Sequence, residues 1–227
     1  WIHSLLEYYY KGLDWQAKHK ELSAKFSELF DEEKEALGNL PAECLQLMKS
    51  YLWHYKYDSW KVHDVEFTLE TEFPDGSIYR CSIDMLIENQ FGLWLVDHKS
   101  HATLPDFSFR LRDAQSALYI WCALRNKLKV QGFIWNYLRT KAPTVPELIK
   151  SGKRISRWDK IDTDYPTAMR AIKQMDIDIE HYKEKLLRLK NQQFQDGAVQ
   201  TSSFFQRHIL ERDNAMLKRV AQENYHT

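Results

Sequence analysis

The sequence predicts a mixed α/β domain in which three antiparallel strands lie between helices. Apolar and polar residues alternate from Val62 to Phe73, which is typical of a strand with one buried face. Two further apolar runs, Ile78 to Ile87 and Phe91 to Lys99, follow after short polar turns. Connections this short favour antiparallel neighbours, so the three runs predict a meander.

The residues before the meander predict helices. Apolar residues recur at helical spacing from Trp1 to about Tyr10. A helix rich in Glu and Lys continues from Leu13 to about Gly38, and Pro41 begins another that reaches about Tyr57, whose aromatic residues we assign to packing. The chain opens inside the first predicted helix and not on methionine, so we expect a preceding N-terminal segment.

The residues after the meander predict a crossover and a helical cover. A helix from about Phe107 to Asn126 precedes an apolar strand, Val130 to Leu138, which can therefore pair in parallel with an earlier strand. Thr167 to Phe194 and Phe204 to Asn224 are predicted as two long helices. We expect one domain over residues 1–227, with a core at about 1–140, a basic loop at 141–166 and C-terminal helices at 167–227.

Composition indicates a globular cytoplasmic protein. Hydrophobic residues make up 44% and charged residues 28% of the 227, enough apolar residues for a substantial core. No apolar run approaches the roughly 18 residues that span a bilayer, and no signal peptide opens the chain. Cys44, Cys81 and Cys122 have no paired spacing, which gives neither a disulfide framework nor a zinc signature. We therefore expect no membrane partner.

Charge is distributed unevenly, although the formal net charge is zero. Trp1 to Leu40 holds five Lys and eight acidic residues, whereas Arg110 to Lys141 holds seven basic residues against Asp113 alone. A basic segment of this kind suits a face that meets a polyanion such as DNA. A solvated basic face is the alternative.

Two carboxylates and an ammonium group lie in the meander. Residues i and i+2 of a strand point to the same face, so Asp97 and Lys99 lie side by side, and the antiparallel neighbour can bring Asp84 against them. Magnesium prefers carboxylate oxygens, and the backbone carbonyl of His98 could add one more oxygen. The lysine would orient water or neutralise developing charge. The alternative is a buried Asp–Lys ion pair with Asp84 at a strand bulge.

Four motifs together resemble those of the PD-(D/E)XK nucleases, in particular the RecB-like branch. That branch includes phage recombination exonucleases and nucleases of CRISPR spacer acquisition, and its core runs helix, three strands, helix, strand. Taken singly, each motif is weak, but here all four occur in the expected order on the expected elements. They are His3-Ser4-Leu5-Leu6-Glu7, Ser82-Ile83-Asp84, Asp97-His98-Lys99-Ser100 and Gln115-Ser116-Ala117-Leu118-Tyr119.

The resemblance implies a restriction-endonuclease-like core and a DNA nuclease that depends on Mg²⁺ or Mn²⁺. It implies that His3 is a metal ligand beside Asp84 and Asp97, whereas by itself a histidine on a helix is more often a packing residue. Gln115 and Tyr119, which share a helix face, would support the active site and the DNA strand. The expected DNA contacts are these two residues together with two arginines of the basic segment, Arg110 and Arg112.

The chain also departs from the pattern of that branch. Many relatives carry a four-cysteine iron–sulfur cluster, but no cysteine follows Cys122, so we expect no such cluster. Ser82 and Ile83 stand where relatives usually have a glycine near the motif aspartate. Glu66 could assist a second metal or simply pair on the strand surface. No phosphate-binding loop of an ATPase is visible, so a recombination or helicase protein is the partner class that the resemblance suggests.

Two other functions stay open at this point. A non-catalytic protein could retain the fold and bind DNA through its basic segments without cutting it. An endonuclease of restriction or repair type could use the same residues, because the exonuclease expectation comes from the RecB-like branch alone.

Overall fold

The computed structural model describes residues 1–73, 75–106, 114–148, 155, 161–192 and 202–213. The helices are α1 (Ile2–Tyr10), α2 (Trp15–Ser27), α3 (Asp31–Leu37), α4 (Leu40–His54), α5 (Ala114–Arg125), α6 (Tyr165–Gln174) and α7 (Lys183–Gln192), with a short 3-10 helix at Ile179–Tyr182. The strands are β1 (Lys61–Glu72), β2 (Ile78–Asn89), β3 (Gly92–His101), β4 (Val130–Arg139) and β5 (Phe205–Glu211). No helix among these is long and apolar enough to cross a membrane.

The five strands form one mixed sheet in the order β1-β2-β3-β4-β5. β1, β2 and β3 are the predicted antiparallel meander. β4 pairs in parallel with β3 after the α5 crossover, in a register that sets Asp97 opposite Trp135. This confirms the predicted α/β class and the predicted parallel pairing. The prediction began α5 at about residue 107, but residues 107–113 lie outside the described residues.

Apolar side chains cover both faces of the sheet. On one face, the core joins β2, β3 and β4 to α5 through residues such as Ile83, Leu95, Phe133 and Ile120. On the other face, Val96 and its neighbours pack with partly buried aromatic residues, and α1 packs against α4 nearby. The central strands β3 and β4 are buried on both faces, which explains why their sequences are almost continuously apolar.

The predicted helix from Phe204 to Asn224 is wrong at its start. Phe205–Glu211 is strand β5, which pairs antiparallel to β4 with Phe205 opposite Leu138 and Leu210 opposite Phe133. The unpaired edge of β4 offers a row of backbone N–H and C=O groups, and pairing with them outweighs the local preference of a short segment. Residues 214–224 lie outside the described residues.

Two other predicted helices are each divided. Leu13 to Gly38 contains α2, which Asp14 caps, and α3, where Glu33 accepts the N–H of Phe30. Thr167 to Phe194 contains α6 and α7, which are separated at Asp176, a residue in the left-handed region with φ of 52°. A residue in that region cannot continue a right-handed helix. These breaks were not predicted because helical spacing continues across them.

We predict that Gly132→Ala destabilises the fold. Gly132 lies in β4 between β3 and β5, and a Cβ atom there would be 2.1 Å from the carbonyl oxygen of Leu210 and 2.8 Å from the Trp94 ring. Forcing β5 away from β4 and displacing the Trp94 ring should lower the free energy of unfolding by about 1–3 kcal/mol. Urea unfolding measures the loss, and Gln131→Ala, at the exposed neighbouring position, is the control. An unchanged midpoint for Gly132→Ala would contradict the position of β5 on β4.

Candidate active site

The site lies where β2 and β3 separate. The ladder between these strands ends at the pair Met85 and Val96, and the next residues are Asp84 and Asp97. Beyond that point a side chain replaces the strand partner, because Asp84 Oδ2 accepts the backbone N–H of His98 at 2.6 Å. The two motif carboxylates are therefore brought together by the hairpin, as the sequence predicts.

Asp97 and Lys99 form an ion pair on the face that α5 covers. The Lys99 Nζ lies 2.7 Å from Asp97 Oδ2 and 5.2 Å from the centre of the Trp135 ring. Asp97 is only 4% exposed, whereas the Lys99 side chain is 30% exposed. The carboxylate is thus desolvated while the ammonium group reaches the surface. An ion pair of this kind fits both a metal centre and the purely structural alternative.

The electrostatics of the two carboxylates favour a cation. Burial, followed by the charge of Asp84, raises the pKa of Asp97 to about 6. Burial also raises the pKa of Asp84, although the N–H of His98 and the charge of Lys99 oppose that rise. Carboxylates whose ionisation is disfavoured by burial are stabilised in their charged form by a divalent ion.

His3 reaches this site from α1. Leu5 and Leu6 bury α1 against the rest of the protein, and the His3 ring lies with its centre 6.3 Å from that of His98. Burial lowers the pKa of His3 although the charge of Asp97 opposes this effect. His3 is therefore neutral near pH 7, which is the state in which an imidazole binds a metal.

Gln115 and Tyr119 face the site from α5. The Gln115 side-chain amide donates to Tyr119 Oη at 2.9 Å. Burial raises the pKa of Tyr119, the hydrogen bond with Gln115 lowers it, and the charge of Asp97 raises it further. Arg110 and Arg112, the other expected DNA contacts, lie outside the described residues.

A comparison with known protein families matches the sequence to one group of enzymes. The family model of the PD-(D/E)XK nuclease superfamily matches residues 1–195. The chain belongs to this superfamily. Enzymes of this superfamily hydrolyse phosphodiester bonds and generally use divalent metal ions.

Similarity to individual proteins is weak. A solved structure titled "Crystal structure of SSO0001" is 13% identical, and its alignment covers 54% of this chain and 56% of that chain with a TM-score of 0.28. The match thus spans little more than half of that protein's length. No curated protein matches the sequence.

The chemistry of the side chains at this site fits a divalent cation. Within the described residues, no three His, Cys, Asp or Glu side chains are already grouped at metal-binding distance. Asp84 and Asp97 nevertheless supply oxygen donors of the kind that Mg²⁺ and Mn²⁺ prefer, and His3 supplies a neutral nitrogen. The position of both carboxylates at the point where β2 and β3 separate is the observation that carries this fit. That the backbone carbonyl of His98 binds the metal stays a prediction.

The His98 side chain belongs to the layer beneath the site. Its ring stacks on Tyr10 with centres 5.8 Å apart, and its Nδ1 lies 2.7 Å from the Asn136 amide. Burial, followed by the charge of His3, lowers the pKa of His98 to about 3, so the ring is neutral. Among described residues its Nε2 is buried without a hydrogen-bond partner. His98 thus contributes a backbone N–H to Asp84 and a rigid packed ring.

A buried polar network, which the sequence analysis missed, supports His98. Asn136 donates to Tyr51 Oη at 2.8 Å and accepts from Arg207 Nε at 3.2 Å. The Arg207 guanidinium lies between the rings of Tyr55 and Trp60, 3.5 and 3.7 Å from their centres. An Asn within an otherwise apolar strand was a visible signal of such a network. Arg207 was not, because its segment was predicted as helix.

Glu66 adds a third carboxylate to the surroundings of the site. Its backbone has φ of 55°, in the left-handed region, although it lies within β1. The ladder pairs Val65 with Met85 and Phe67 with Ile83, so Glu66 lies at the level of Asp84. Burial raises the pKa of Glu66, and the charge of Asp84 adds to the rise. Assistance to a second metal and packing or pairing on the strand surface stay the alternative predictions for Glu66.

Proposed function

We propose that this chain is a divalent-metal-dependent deoxyribonuclease of the RecB-like branch that acts as an exonuclease. It would serve DNA recombination or repair, or phage DNA processing, in the cytoplasm of a bacterial or phage-infected cell. The observation that carries the proposal is the cluster of Asp84, Asp97 and Lys99 where β2 and β3 separate. Pairing of β5 with the core sheet supports one domain over the whole chain.

Each residue of the site would have its own role in hydrolysis. Asp84 and Asp97 would hold Mg²⁺ or Mn²⁺, with His3 as a neutral third donor. When bound, such an ion would supply an activated water and would polarise the phosphodiester. Lys99, anchored by Asp97, places a positive charge where negative charge develops on the phosphate oxygens.

The strand of DNA would lie along α5 and the sheet surface. Tyr119 and Gln115 are joined by a hydrogen bond, so they form a fixed polar edge beside the carboxylates. That edge would hold the strand near the scissile bond, with Arg110 and Arg112 as the further contacts expected from the sequence. His3 on α1 and the Gln–Tyr pair on α5 are the features that favour the RecB-like branch. A recombination or helicase protein is the proposed partner class.

We predict that the protein degrades linear DNA only when a divalent ion is present. Linear double-stranded, linear single-stranded and covalently closed circular DNA would each be incubated with Mg²⁺, Mn²⁺ or EDTA. We expect loss of the linear substrates alone and complete inhibition by EDTA. Because Mn²⁺ accepts a nitrogen ligand such as His3 more readily than Mg²⁺ does, we expect activity at lower Mn²⁺ concentration.

Other outcomes of this assay would assign other functions. Cutting of the closed circle would identify an endonuclease, because an exonuclease requires an end. A gel shift without cleavage under any metal would identify a DNA-binding protein that retains the nuclease fold.

A further inference from the structure

We propose that a cleft at the start of β5, lined by Arg139, Ser202, Ser203 and Thr103, binds a backbone phosphate of the DNA strand that the catalytic cluster cleaves. This inference rests on the proposed function and adds a second contact point for the same substrate. The cleft has a volume of about 430 Å³, and Leu104 and Gln206 complete its lining.

The cleft lies further along the sheet on the same two central strands. In the parallel register, Lys99 pairs with Tyr137 and His101 pairs with Arg139. Two residues of strand span about 7 Å, so the cleft begins roughly that distance beyond the catalytic lysine. Neighbouring phosphates of one strand can bridge such a distance. The Lys99–Trp135 and His101–Tyr137 ring contacts show that the side chains leading toward the cleft continue on one face.

The lining of the cleft offers donors and no carboxylate. Five of its six residues carry a hydroxyl, amide or guanidinium group, which are groups that bind phosphate oxygens. Ser202 is especially suited, because its Oγ already accepts the N–H groups of Phe204 at 3.0 Å and Phe205 at 2.8 Å. With those acceptor positions occupied, its O–H is left to donate.

Arg139 is the positive charge of the cleft. Its Nη1 donates to Asp162 at 2.5 Å, and its guanidinium lies 5.3 Å from the centre of the Phe204 ring. A guanidinium group has five N–H donors, so one ion pair leaves others for a phosphate. Asp162, whose side chain is 38% exposed, is then a competitor that partly neutralises the site.

The residues of the cleft are held by strand pairing. The N–H of Arg139 donates to the carbonyl of Phe204 at 2.9 Å, and the N–H of Thr140 donates to that of His101 at 2.8 Å. These bonds join the ends of β3 and β4 to the start of β5. A phosphate site on such a frame would be preorganised, which reduces the entropic cost of binding.

The test compares Arg139→Gln with Asp162→Asn in the full chain. Binding of a fluorescently labelled single strand would be measured by anisotropy in EDTA across a range of salt concentration. Loss of one phosphate contact lowers the slope of log affinity against log salt by about 0.7 for a single strand. We expect Arg139→Gln to show this smaller slope and about threefold weaker binding at low salt. We expect Asp162→Asn to bind more tightly than the wild type.

Arg80→Gln is the matched control, because Arg80 forms an exposed ion pair with Glu70 elsewhere on the sheet. We expect its affinity and salt slope to equal those of the wild type. Equal weakening by Arg139→Gln and Asp162→Asn would overturn the proposal, because it would show that the ion pair only stabilises the fold. An unchanged slope for Arg139→Gln would overturn it as well.

Cleavage separates this inference from the proposed function. Bis(p-nitrophenyl) phosphate contains a single phosphodiester, so it reaches the catalytic cluster without a second phosphate. We expect Arg139→Gln to raise the ratio of KM for the DNA strand to KM for this small substrate. Failure of the wild type to cleave either substrate would refute the proposed nuclease activity. The slope of log affinity against log salt would still decide whether the cleft binds phosphate.

Discussion

Lys99→Met is expected to lower kcat for DNA cleavage by about 10²- to 10⁴-fold while the fold is retained. Methionine has a similar length and can keep the contact with the Trp135 ring, but it removes the charge that lies 2.7 Å from Asp97. The loss should appear in kcat because that charge acts mainly on the transition state. Single-turnover cleavage with saturating enzyme measures the effect, and circular dichroism checks the fold.

Lys56→Met is the matched control for this substitution. Lys56 also lies over an aromatic ring, with its Nζ 4.5 Å from the centre of the Trp53 ring, but it lines a cleft with Asp58 and Trp60 that does not include the two carboxylates. We expect wild-type cleavage from this variant. Wild-type cleavage by folded Lys99→Met would instead refute the proposed role of Lys99.

Asp97→Asn is expected to abolish cleavage and, in the absence of metal, to make the protein more stable at pH 8. The pKa of Asp97 is raised from 3.8 to about 6. The stability that protonated Asp97 contributes is fully present below its unfolded pKa and is lost as pH rises through about 6. Above that pH the buried charge costs up to about 3 kcal/mol, and asparagine does not carry it. Loss of the partner of Lys99 offsets part of this gain.

Urea unfolding in EDTA at pH 5 and pH 8 measures this effect. We expect the difference between Asp97→Asn and the wild type to favour the variant at pH 8 and to shrink at pH 5. Asp75→Asn should instead lose a little stability equally at both pH values, because Ser77 lowers the pKa of Asp75 and that carboxylate is already ionised at pH 5. Added Mn²⁺ should raise the Tm of the wild type and leave that of Asp97→Asn unchanged.

This experiment also distinguishes the two interpretations of the Asp97–Lys99 pair. If the pair is only a structural ion pair, removing one partner leaves Lys99 without its counterion, and the variant is less stable at pH 8. A metal centre requires the opposite sign, since burial and the charge of Asp84 disfavour ionised Asp97 in the metal-free site. A less stable Asp97→Asn with no Mn²⁺ effect on the wild type would therefore contradict the metal site.

Local patterns in the sequence were sufficient for the meander and its motif residues. Strand period places Asp97 beside Lys99, and a short connection requires the preceding strand to return alongside, which brings Asp84 to the same point. The α5 crossover likewise predicted the parallel pairing of β4 with β3. These features depend on residues near one another in the chain, and the family match over residues 1–195 agrees with them.

Other features arise only from contacts between distant parts of the chain. Arg207 is 71 residues from Asn136 and 149 from Asp58, yet it bonds to both. The proposed phosphate cleft likewise combines the ends of β3 and β4 with the start of β5. No local sequence pattern indicates that such distant residues are neighbours in space.

The sequence by itself determined the α/β class, the order from α4 to β4 and the cluster of Asp84, Asp97 and Lys99, because period and short connections are local properties. Only the tertiary structure decided that Phe205–Glu211 is a strand. The physical reason is that a short segment has a weak preference of its own, whereas the open edge of β4 provides backbone hydrogen bonds along seven paired residues. The network beneath His98 and the cleft beyond Lys99 both follow from that pairing.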